Sequence, residues 1–149
     1  MTTSGQTLTT YSFGPVGGHG GNTFQDDVTE NNVKIKQIKI RAGKYIDAIQ
    51  IVTQQMDGSV KEQDKHGGNG GKEYTMSLDD DEYIIAIYGK SGGYIDSIQF
   101  RTNKKTYSIF GGNGGKEFRF EAPSGYQIIG FFGRSGGYVD ALGCYLKGI

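Results

Sequence analysis

Apolar and polar residues alternate with a period of two through much of this chain. In the stretch EFRFE, Phe118 and Phe120 fall on one side and the charged residues fall on the other. The stretches SIQFRT (97–102) and LGCYLK (142–147) alternate in the same way. This period is typical of a β-strand with one buried face. No stretch has the 3.6-residue period of an amphipathic helix, so the pattern predicts an all-β chain.

Two further stretches are apolar at nearly every position. They are YIIAIY (83–88) and YQIIGFF (126–132), and such continuous runs are typical of strands buried between packed layers. The turn-forming sequences MDGS, TNKK and APSG separate the predicted strands. Glycine is unusually frequent, with 26 of 149 residues against an average of roughly 7%. This excess indicates many tight turns.

Two glycine-containing motifs occur three times each. The motif GG-x-GG occupies 17–21, 67–71 and 111–115, and a G-x-Y-[IV]-D motif ends at Asp47, Asp96 and Asp140. The second and third copies are 44 residues apart in both series, from 67 to 111 and from 96 to 140. Matching offsets indicate an internal repeat of one structural unit. We predict one domain over 1–149, with repeat units at roughly 14–53, 64–103 and 108–147.

Threefold all-β domains of this length have two common architectures, the β-trefoil and the β-prism. Trefoils of the ricin-lectin type rely on a tryptophan in each repeat, and this chain contains no tryptophan. Three four-stranded sheets arranged as a prism therefore fit the sequence better.

Charge and hydropathy narrow the possible partners. Lys plus Arg and Asp plus Glu both total 16, which argues against nucleic acid or an anionic membrane as the partner. No apolar run approaches the roughly 18 residues of a membrane span, so we expect no membrane insertion. The first residues do not resemble a signal peptide; cytoplasmic residence is compatible with this, and secretion stays possible if a leader was removed. Cys144 alternates with two leucines and is interpreted as a small buried hydrophobe.

The repeated aspartate loops carry a combination of groups that suits a saccharide. An ionised carboxylate can accept hydrogen bonds from two adjacent hydroxyls. Glycines leave main-chain N–H groups unobstructed, and tyrosine supplies a flat apolar face with a polar tip. The alternative is that each loop is only a turn capped by its aspartate. The recurrence of both aspartate and tyrosine in all three units favours a binding site.

Other motifs fit known chemistries less well. The G-x-S-x-G matches lack the helix that a nucleophile elbow requires, and GGNGGKE lacks the hydroxyl residue of a phosphate loop. The two histidines and the cysteine show no zinc spacing, and LDDDE (78–82) is interpreted as a solvated turn in preference to a calcium site. We predict no cofactor and no metal. A cation two positions before each matched glycine is interpreted as surface charge that steadies the loop, with contact to a ligand as the less favoured alternative: Arg41, Lys90 and Arg134.

With three GG-x-GG loops and three G-x-x-x-D loops over nearly its whole length, the chain resembles the jacalin-related lectins. It is most similar to members in which every repeat keeps an aspartate and a tyrosine. The resemblance implies a β-prism I fold of three four-stranded Greek-key sheets with pseudo-threefold symmetry, and binding of mannose- or glucose-type glycans. In galactose-binding members the GG loop begins with a free amino group. Here sixteen residues precede Gly17, which favours the mannose-type branch.

The resemblance also implies which residues bind the sugar, because the last glycine of each GG-x-GG loop faces the aspartate loop of another unit. The implied sets are Gly21 with Gly137, Tyr138, Val139 and Asp140; Gly71 with Lys44, Tyr45, Ile46 and Asp47; and Gly115 with Gly93, Tyr94, Ile95 and Asp96. Lys44 departs from the residue expected in its loop, so we rank the Asp47 site below the other two.

The leading hypothesis is a multivalent, non-catalytic lectin that forms a homodimer or higher homo-oligomer. The resemblance implies that its N-terminal strand, TLTTYSF, can exchange between subunits. The alternative is a protein-interaction or assembly module that uses the same scaffold without binding sugar. A glycosidase would need two carboxylates flanking the scissile bond, and each loop set offers one.

Overall fold

A computed structural model describes residues 11–149, which form thirteen strands and no helix. The strands are β1 (Tyr11–Gly17), β2 (Asn22–Gln25), β3 (Asn32–Ala42), β4 (Ile46–Gln55), β5 (Val60–Glu62), β6 (His66–Gly67), β7 (Lys72–Ser77), β8 (Ile84–Ser91), β9 (Ile95–Thr102), β10 (Phe110–Gly111), β11 (Lys116–Glu121), β12 (Tyr126–Ser135) and β13 (Val139–Gly148). Residues 7–10 of the predicted N-terminal strand, and its exchange between subunits, lie outside the described residues.

The strands form three antiparallel sheets. Sheet 1 has the order β5-β4-β3-β7, with β6 pairing on the same strand β4 as β5; sheet 2 has the order β10-β9-β8-β11. Sheet 3 has the order β1-β13-β12-β2. Because β5 and β6 pair with successive parts of β4, sheet 1 is four strands wide. Each sheet places its fourth strand beside its first, which is the Greek-key arrangement. The prediction of three four-stranded sheets is confirmed.

Sheet 3 joins the two ends of the described chain. In β1, Phe13 pairs with Cys144, and Gly17 pairs with Ala141 of β13. Each sheet therefore takes its central hairpin from one sequence repeat and its two outer strands from the repeat that follows. For sheet 3 the following repeat is the first one. This offset brings each GG-x-GG loop beside the aspartate loop of the preceding unit.

The apolar faces of the three sheets meet in one core. Its largest fully buried side chains are two phenylalanines and ten isoleucines: Phe100, Phe131, Ile35, Ile38, Ile40, Ile46, Ile49, Ile51, Ile84, Ile87, Ile95 and Ile98. Cys144 is also fully buried, and burial raises the pKa of its thiol to about 12. The interpretation of Cys144 as a small core residue is confirmed.

A β-bulge near the start of each central hairpin explains the continuous apolar runs. The register shifts between Ile84 and Ala86 in β8, and between Ile128 and Gly130 in β12. An extra residue reverses the side-chain alternation, so Ile84 and Ile87 both face the core although they are three positions apart, an odd number. The bulge therefore accounts for part of each apolar run.

Candidate functional site

Three loop clusters lie where the GG-x-GG loops meet the tips of the central hairpins. In sheet 1, for example, Ala42 at the end of β3 pairs with Lys72, which directly follows the GG-x-GG loop. Asp47 lies just across the hairpin tip, as the second residue of β4. The same register places Asn22 beside Ser135 and Lys116 beside Ser91 in the other two sheets.

Each aspartate carboxylate lies across the last two glycines of one GG-x-GG loop. A Cβ built on Gly71 would be 2.6 Å from Asp47 Oδ1, and one built on Gly70 would be 2.7 Å from Asp47 Oδ2. The corresponding distances at Gly115 and Gly114 to Asp96 are 2.6 and 2.8 Å, and at Gly21 and Gly20 to Asp140 they are 2.9 and 2.6 Å. The structure thus brings together the three glycine–aspartate pairs expected from the sequence.

The last glycine of each loop has a backbone conformation that favours glycine. Its φ is +67° at Gly21, +68° at Gly71 and +85° at Gly115. A side chain there would be strained by the positive φ and would also overlap the carboxylate. Glycine is therefore required at these positions for two independent reasons.

In the described part of the chain, each cluster contains main-chain N–H groups that donate to no main-chain carbonyl. In the third aspartate loop, Gly136 N–H donates to the carbonyl of Tyr138 at 2.9 Å, which closes a tight turn. Within residues 11–149, no main-chain carbonyl accepts a hydrogen bond from the N–H of Gly137, of Tyr138 or of Gly21. The same holds for the matching residues of the other two clusters, namely Lys44, Tyr45 and Gly71, and Gly93, Tyr94 and Gly115.

The carboxylates are more buried than the loop sequences suggest. Asp47 and Asp140 are each 6% exposed, and Asp96 is 8% exposed. Among the described residues, the only fully buried side-chain oxygen or nitrogen without a partner is Gln127 Oε1. The aspartate oxygens, which accept no hydrogen bond from another described side chain, therefore still reach solvent. Each cluster thus presents a carboxylate to which no other described side chain donates, although the carboxylates of Asp47 and Asp140 each interact with the N–H of their own residue.

Burial also changes the acidity of two of these groups. Loss of solvation raises the pKa of Asp47, and the nearby Arg41 guanidinium opposes this rise. Loss of solvation likewise raises the pKa of Asp140, and Arg134 opposes it. Both carboxyl groups thus hold a proton more readily than an ordinary aspartate does.

The cations before each aspartate loop hold the GG-x-GG loops in place. Arg134 Nε donates to Gly20 O at 3.0 Å, and its Nη2 donates to Gly21 O at 2.8 Å. Arg41 contacts the carbonyls of Gly70 and Gly71 in the same way, at 2.9 and 3.1 Å. The third cation, Lys90, makes one longer contact, 3.5 Å from Asn113 O. The loop-steadying role expected for these residues is confirmed for the two arginines.

The three loop tyrosines form a cluster that the sequence did not reveal. The ring centroids of Tyr45 and Tyr94 are 4.9 Å apart, those of Tyr45 and Tyr138 are 5.2 Å apart, and those of Tyr94 and Tyr138 are 4.7 Å apart. Each ring is half-buried. The tyrosines therefore lie between the three clusters and contact one another, instead of standing separately beside each aspartate.

Glycine contacts link the three clusters into a ring. Gly18 packs against the carbonyl of Gly93, Gly68 against that of Gly137, and Gly112 against that of Lys44. Each GG-x-GG loop consequently contacts two aspartate loops, one through its last two glycines and another through its second glycine. Contacts with the loops of neighbouring clusters therefore help to fix the geometry of each cluster.

Three of the residues expected at the site point into the core. Ile46 is 1% exposed, and Ile95 and Val139 are fully buried. Their side chains anchor the strands that carry the aspartates, and only their main chains can face a ligand. Lys44 is exposed, with Nζ 5.8 Å from the centroid of the Tyr45 ring.

Comparisons with known proteins agree with this architecture. A mannose-specific jacalin-related lectin from Morus nigra, solved in complex with mannose, aligns with a TM-score of 0.86 and 31% identity, covering 98% of this chain and 99% of that one. A mannose-binding jacalin-related lectin from Ananas comosus aligns with a TM-score of 0.83 and 33% identity, covering 94% of this chain and 99% of that one.

Two plant sequences are related over part of their length. Jacalin-related lectin 3 of Arabidopsis thaliana is 35% identical over 108 residues, which are 66% of this chain and 17% of that protein. An agglutinin of Castanea crenata is 35% identical over 105 residues, 63% of this chain and 33% of that protein. This chain thus spans between about a sixth and a third of the length of these two relatives.

A β-prism of three Greek-key sheets, with glycine and aspartate loops grouped as described, defines a non-catalytic carbohydrate-binding protein, a lectin. The chain belongs to the jacalin-like lectin domain family, whose pattern it matches over residues 13–145. No helix in the described part of the chain is long and apolar enough to cross a membrane.

Proposed function

We propose that this lectin binds mannose- or glucose-type glycans at up to three sites, built around Asp47, Asp96 and Asp140. The observation that carries the proposal is that, within residues 11–149, each cluster combines a carboxylate that accepts no hydrogen bond from another side chain with main-chain N–H groups that donate to no main-chain carbonyl. The Morus nigra lectin, whose structure contains mannose, supports the choice of sugar.

The chemistry follows from the geometry of one cluster. The two oxygens of Asp140 accept hydrogen bonds from two adjacent hydroxyls of the sugar, and such charge-assisted bonds are stronger than neutral ones. The N–H groups of Gly21, Gly137 and Tyr138 donate to sugar oxygens on the other side. With so few contacts, a single site is expected to bind a monosaccharide with a Kd around 1 mM, or about −4 kcal/mol.

Multivalency raises the affinity for branched glycans. Three sites at the loop end of one prism can bind several branches of the same glycan at once. Such linked binding events can raise the overall affinity about 10²- to 10⁴-fold. We also propose a homodimer, which doubles the number of sites. Strand β1 lies at the edge of sheet 3, and its Tyr11 is 66% exposed, which suits pairing with a second copy.

Isothermal titration with methyl α-mannoside tests the proposal. We expect weak binding at up to three sites per chain, retention of the protein on mannose-agarose, and its release by free mannose. Methyl α-galactoside serves as the matched control ligand and should not compete. If the folded protein shows neither heat nor retention, the lectin proposal fails and the protein-interaction alternative gains support.

Acidification should weaken sugar binding before it unfolds the protein. Because burial raises the pKa of Asp47 and Asp140, these two sites should lose affinity at a pH above about 3.9, where an ordinary aspartate titrates. Acidification has the opposite effect on the free energy of unfolding. A raised folded-state pKa means that the ionised carboxylates destabilise the fold, and this penalty disappears as pH falls through that pKa.

The measurement is titration calorimetry from pH 7 to pH 4, with thermal melts of the unliganded protein at each pH. Near the raised pKa, binding should release protons, which is detected as a dependence of the heat on the buffer's ionisation enthalpy. Affinity that stays constant down to pH 4 would contradict a carboxylate contact at these two sites.

A further inference from the structure

A groove at the seam between sheets 1 and 2 begins beside the Asp47 cluster. Its volume is about 530 Å³, and Gly43 and Gly111 line the end nearest the loops. A Cβ built on Gly43 would be 3.9 Å from Asp47 Oδ1. Gly43 therefore borders both the groove and the surroundings of the Asp47 carboxylate.

Aromatic and hydroxyl groups form the walls of this groove. The rings of Tyr74 and Phe110 lie 5.3 Å apart across the seam, and Tyr74 is 38% exposed. Ile109, which is 63% exposed, adds a second apolar surface. Aromatic faces suit the C–H face of a sugar ring, and Ser77 and Ser108 supply hydroxyls beside them.

Two lysines give the groove a positive rim. Lys72 Nζ lies 5.5 Å from the centroid of the Tyr74 ring, and Lys105 Nζ lies 4.6 Å from that of Tyr107, and both tyrosines line the groove. Within the described residues neither lysine forms an ion pair. A third cation, Lys44, follows Gly43 directly, whereas the other two aspartate loops have glycine at its position.

Most of the negative groups near the groove are engaged with other described residues. No residue that lines it is acidic. Asp79 and Asp81 form ion pairs with Lys104, at 3.4 and 2.5 Å. Glu82 is 2% exposed and accepts the hydroxyl of Tyr107 at 2.9 Å. Lys44, Lys72 and Lys105 outnumber the exposed Glu73 beside Lys72, so the balance of charge around the groove is positive.

The distance from the Asp47 niche matches the length of a short oligosaccharide. Tyr74 lies three residues beyond Gly71 along an extended strand, which corresponds to about 10 Å at roughly 3.3 Å per residue. We propose that this groove is an extension subsite of the Asp47 site, and that it binds an anionic saccharide unit linked to the sugar held by Asp47. The proposal rests on the proposed function of that site.

The test uses a variant that keeps only the Asp47 site, Asp96→Asn with Asp140→Asn. Its affinities for a neutral mannobioside and for the same mannobioside sulfated on the second sugar are compared at low salt. We expect the sulfated compound to bind at least five times more tightly. Adding Lys72→Gln and Lys105→Gln should lower the ratio of the two affinities, sulfated over neutral, to about one. Thermal melts confirm that each variant is folded.

The repeat supplies a matched control. Lys116 occupies the position of Lys72 in the identical sequence GGNGGKE of the third unit, and Lys116→Gln should leave the ratio unchanged. Equal binding of the two mannobiosides by the single-site variant overturns the subsite, as does a loss of preference with Lys116→Gln. Absence of binding by that variant, while the unmodified protein binds mannoside, also overturns it. If the unmodified protein binds neither compound, the proposed function itself fails.

Discussion

Replacing Asp47, Asp96 and Asp140 together by asparagine is expected to abolish retention on mannose-agarose. Among residues 11–149, each carboxylate is the only charged acceptor in its cluster, and a hydrogen bond to a charged group contributes about 1.5–3 kcal/mol. Two such bonds are lost at every site. Because a single site is weak, this loss should move the affinity beyond detection, which corresponds to more than a 100-fold decrease.

Stability measurements separate lost binding from lost folding in this triple variant. The folded protein raises the pKa of Asp47 and of Asp140 through burial, so their charges are unfavourable in the folded state at pH 7. Neutral asparagine removes this penalty and has nearly the same size. The melting temperature should therefore stay the same or rise while binding disappears.

Agglutination provides the second readout. The single variants should weaken mannose-inhibitable agglutination in steps, because each one removes a site from a multivalent surface. A triple variant that remains folded and still agglutinates would show that binding does not depend on these carboxylates.

The sequence predicted three equivalent sets of loops because two motifs recurred with matching offsets. A GG-x-GG series and an aspartate series with the same repeat length must occupy equivalent places in each unit. The family resemblance then supplied which glycine faces which aspartate, and the contacts of Gly21 with Asp140, 119 positions apart (21 to 140), agree with it. The hydrophobic period supplied the strands, since one face of each sheet packs on the core.

Contacts between distant polar residues could not be predicted from the sequence. His66 Nε2 lies 2.7 Å from Asp26 Oδ1, and the Phe131 N–H donates to Asp26 Oδ2 at 2.9 Å. The His66 ring also stacks on Phe24 with centroids 4.1 Å apart. This group holds the seam between sheets 3 and 1, just before a GG-x-GG loop. Nothing in the local sequence marks either residue as buried, because their partners lie 40 and 105 residues away.

The acidic stretch 78–82 contains another buried polar contact that the sequence did not predict. It forms a turn, as predicted, in which Asp80 and Asp81 are exposed. Glu82 instead is buried and accepts the hydroxyls of Thr102 at 2.6 Å and Tyr107 at 2.9 Å. One residue of the acidic run thus anchors the 103–110 loop, which forms part of the groove beside the Asp47 site.

The tyrosine cluster arises from symmetry and not from any one loop. Each repeat places a tyrosine two residues before its aspartate, and the prism brings the three loops to a common centre. The rings therefore contact one another at 4.7–5.2 Å. Only the closed ring of three units reveals this contact, because each loop alone presents a single exposed ring.

Substitution of the last glycine of a GG-x-GG loop by alanine is the second change expected to have a large effect on sugar binding. The same substitution at Gly125 is the matched control. Both Gly115 and Gly125 have positive φ, +85° and +86°, so alanine at either position should destabilise the protein by about 1–3 kcal/mol through backbone strain. They differ in their surroundings. A Cβ on Gly125 meets no atom within 4 Å, whereas one on Gly115 would be 2.6 Å from Asp96 Oδ1.

In the background Asp47→Asn with Asp140→Asn, only the Asp96 site remains, and Gly115→Ala should eliminate its binding of methyl α-mannoside. The added methyl group must displace the carboxylate or the loop, and either movement separates the acceptor from the N–H donors of Gly93 and Tyr94. Gly125→Ala in the same background should lower the melting temperature and retain the affinity. Titration calorimetry with thermal melts distinguishes the two variants. Unchanged affinity in folded Gly115→Ala would mean that the close approach of glycine and carboxylate is not what forms the site.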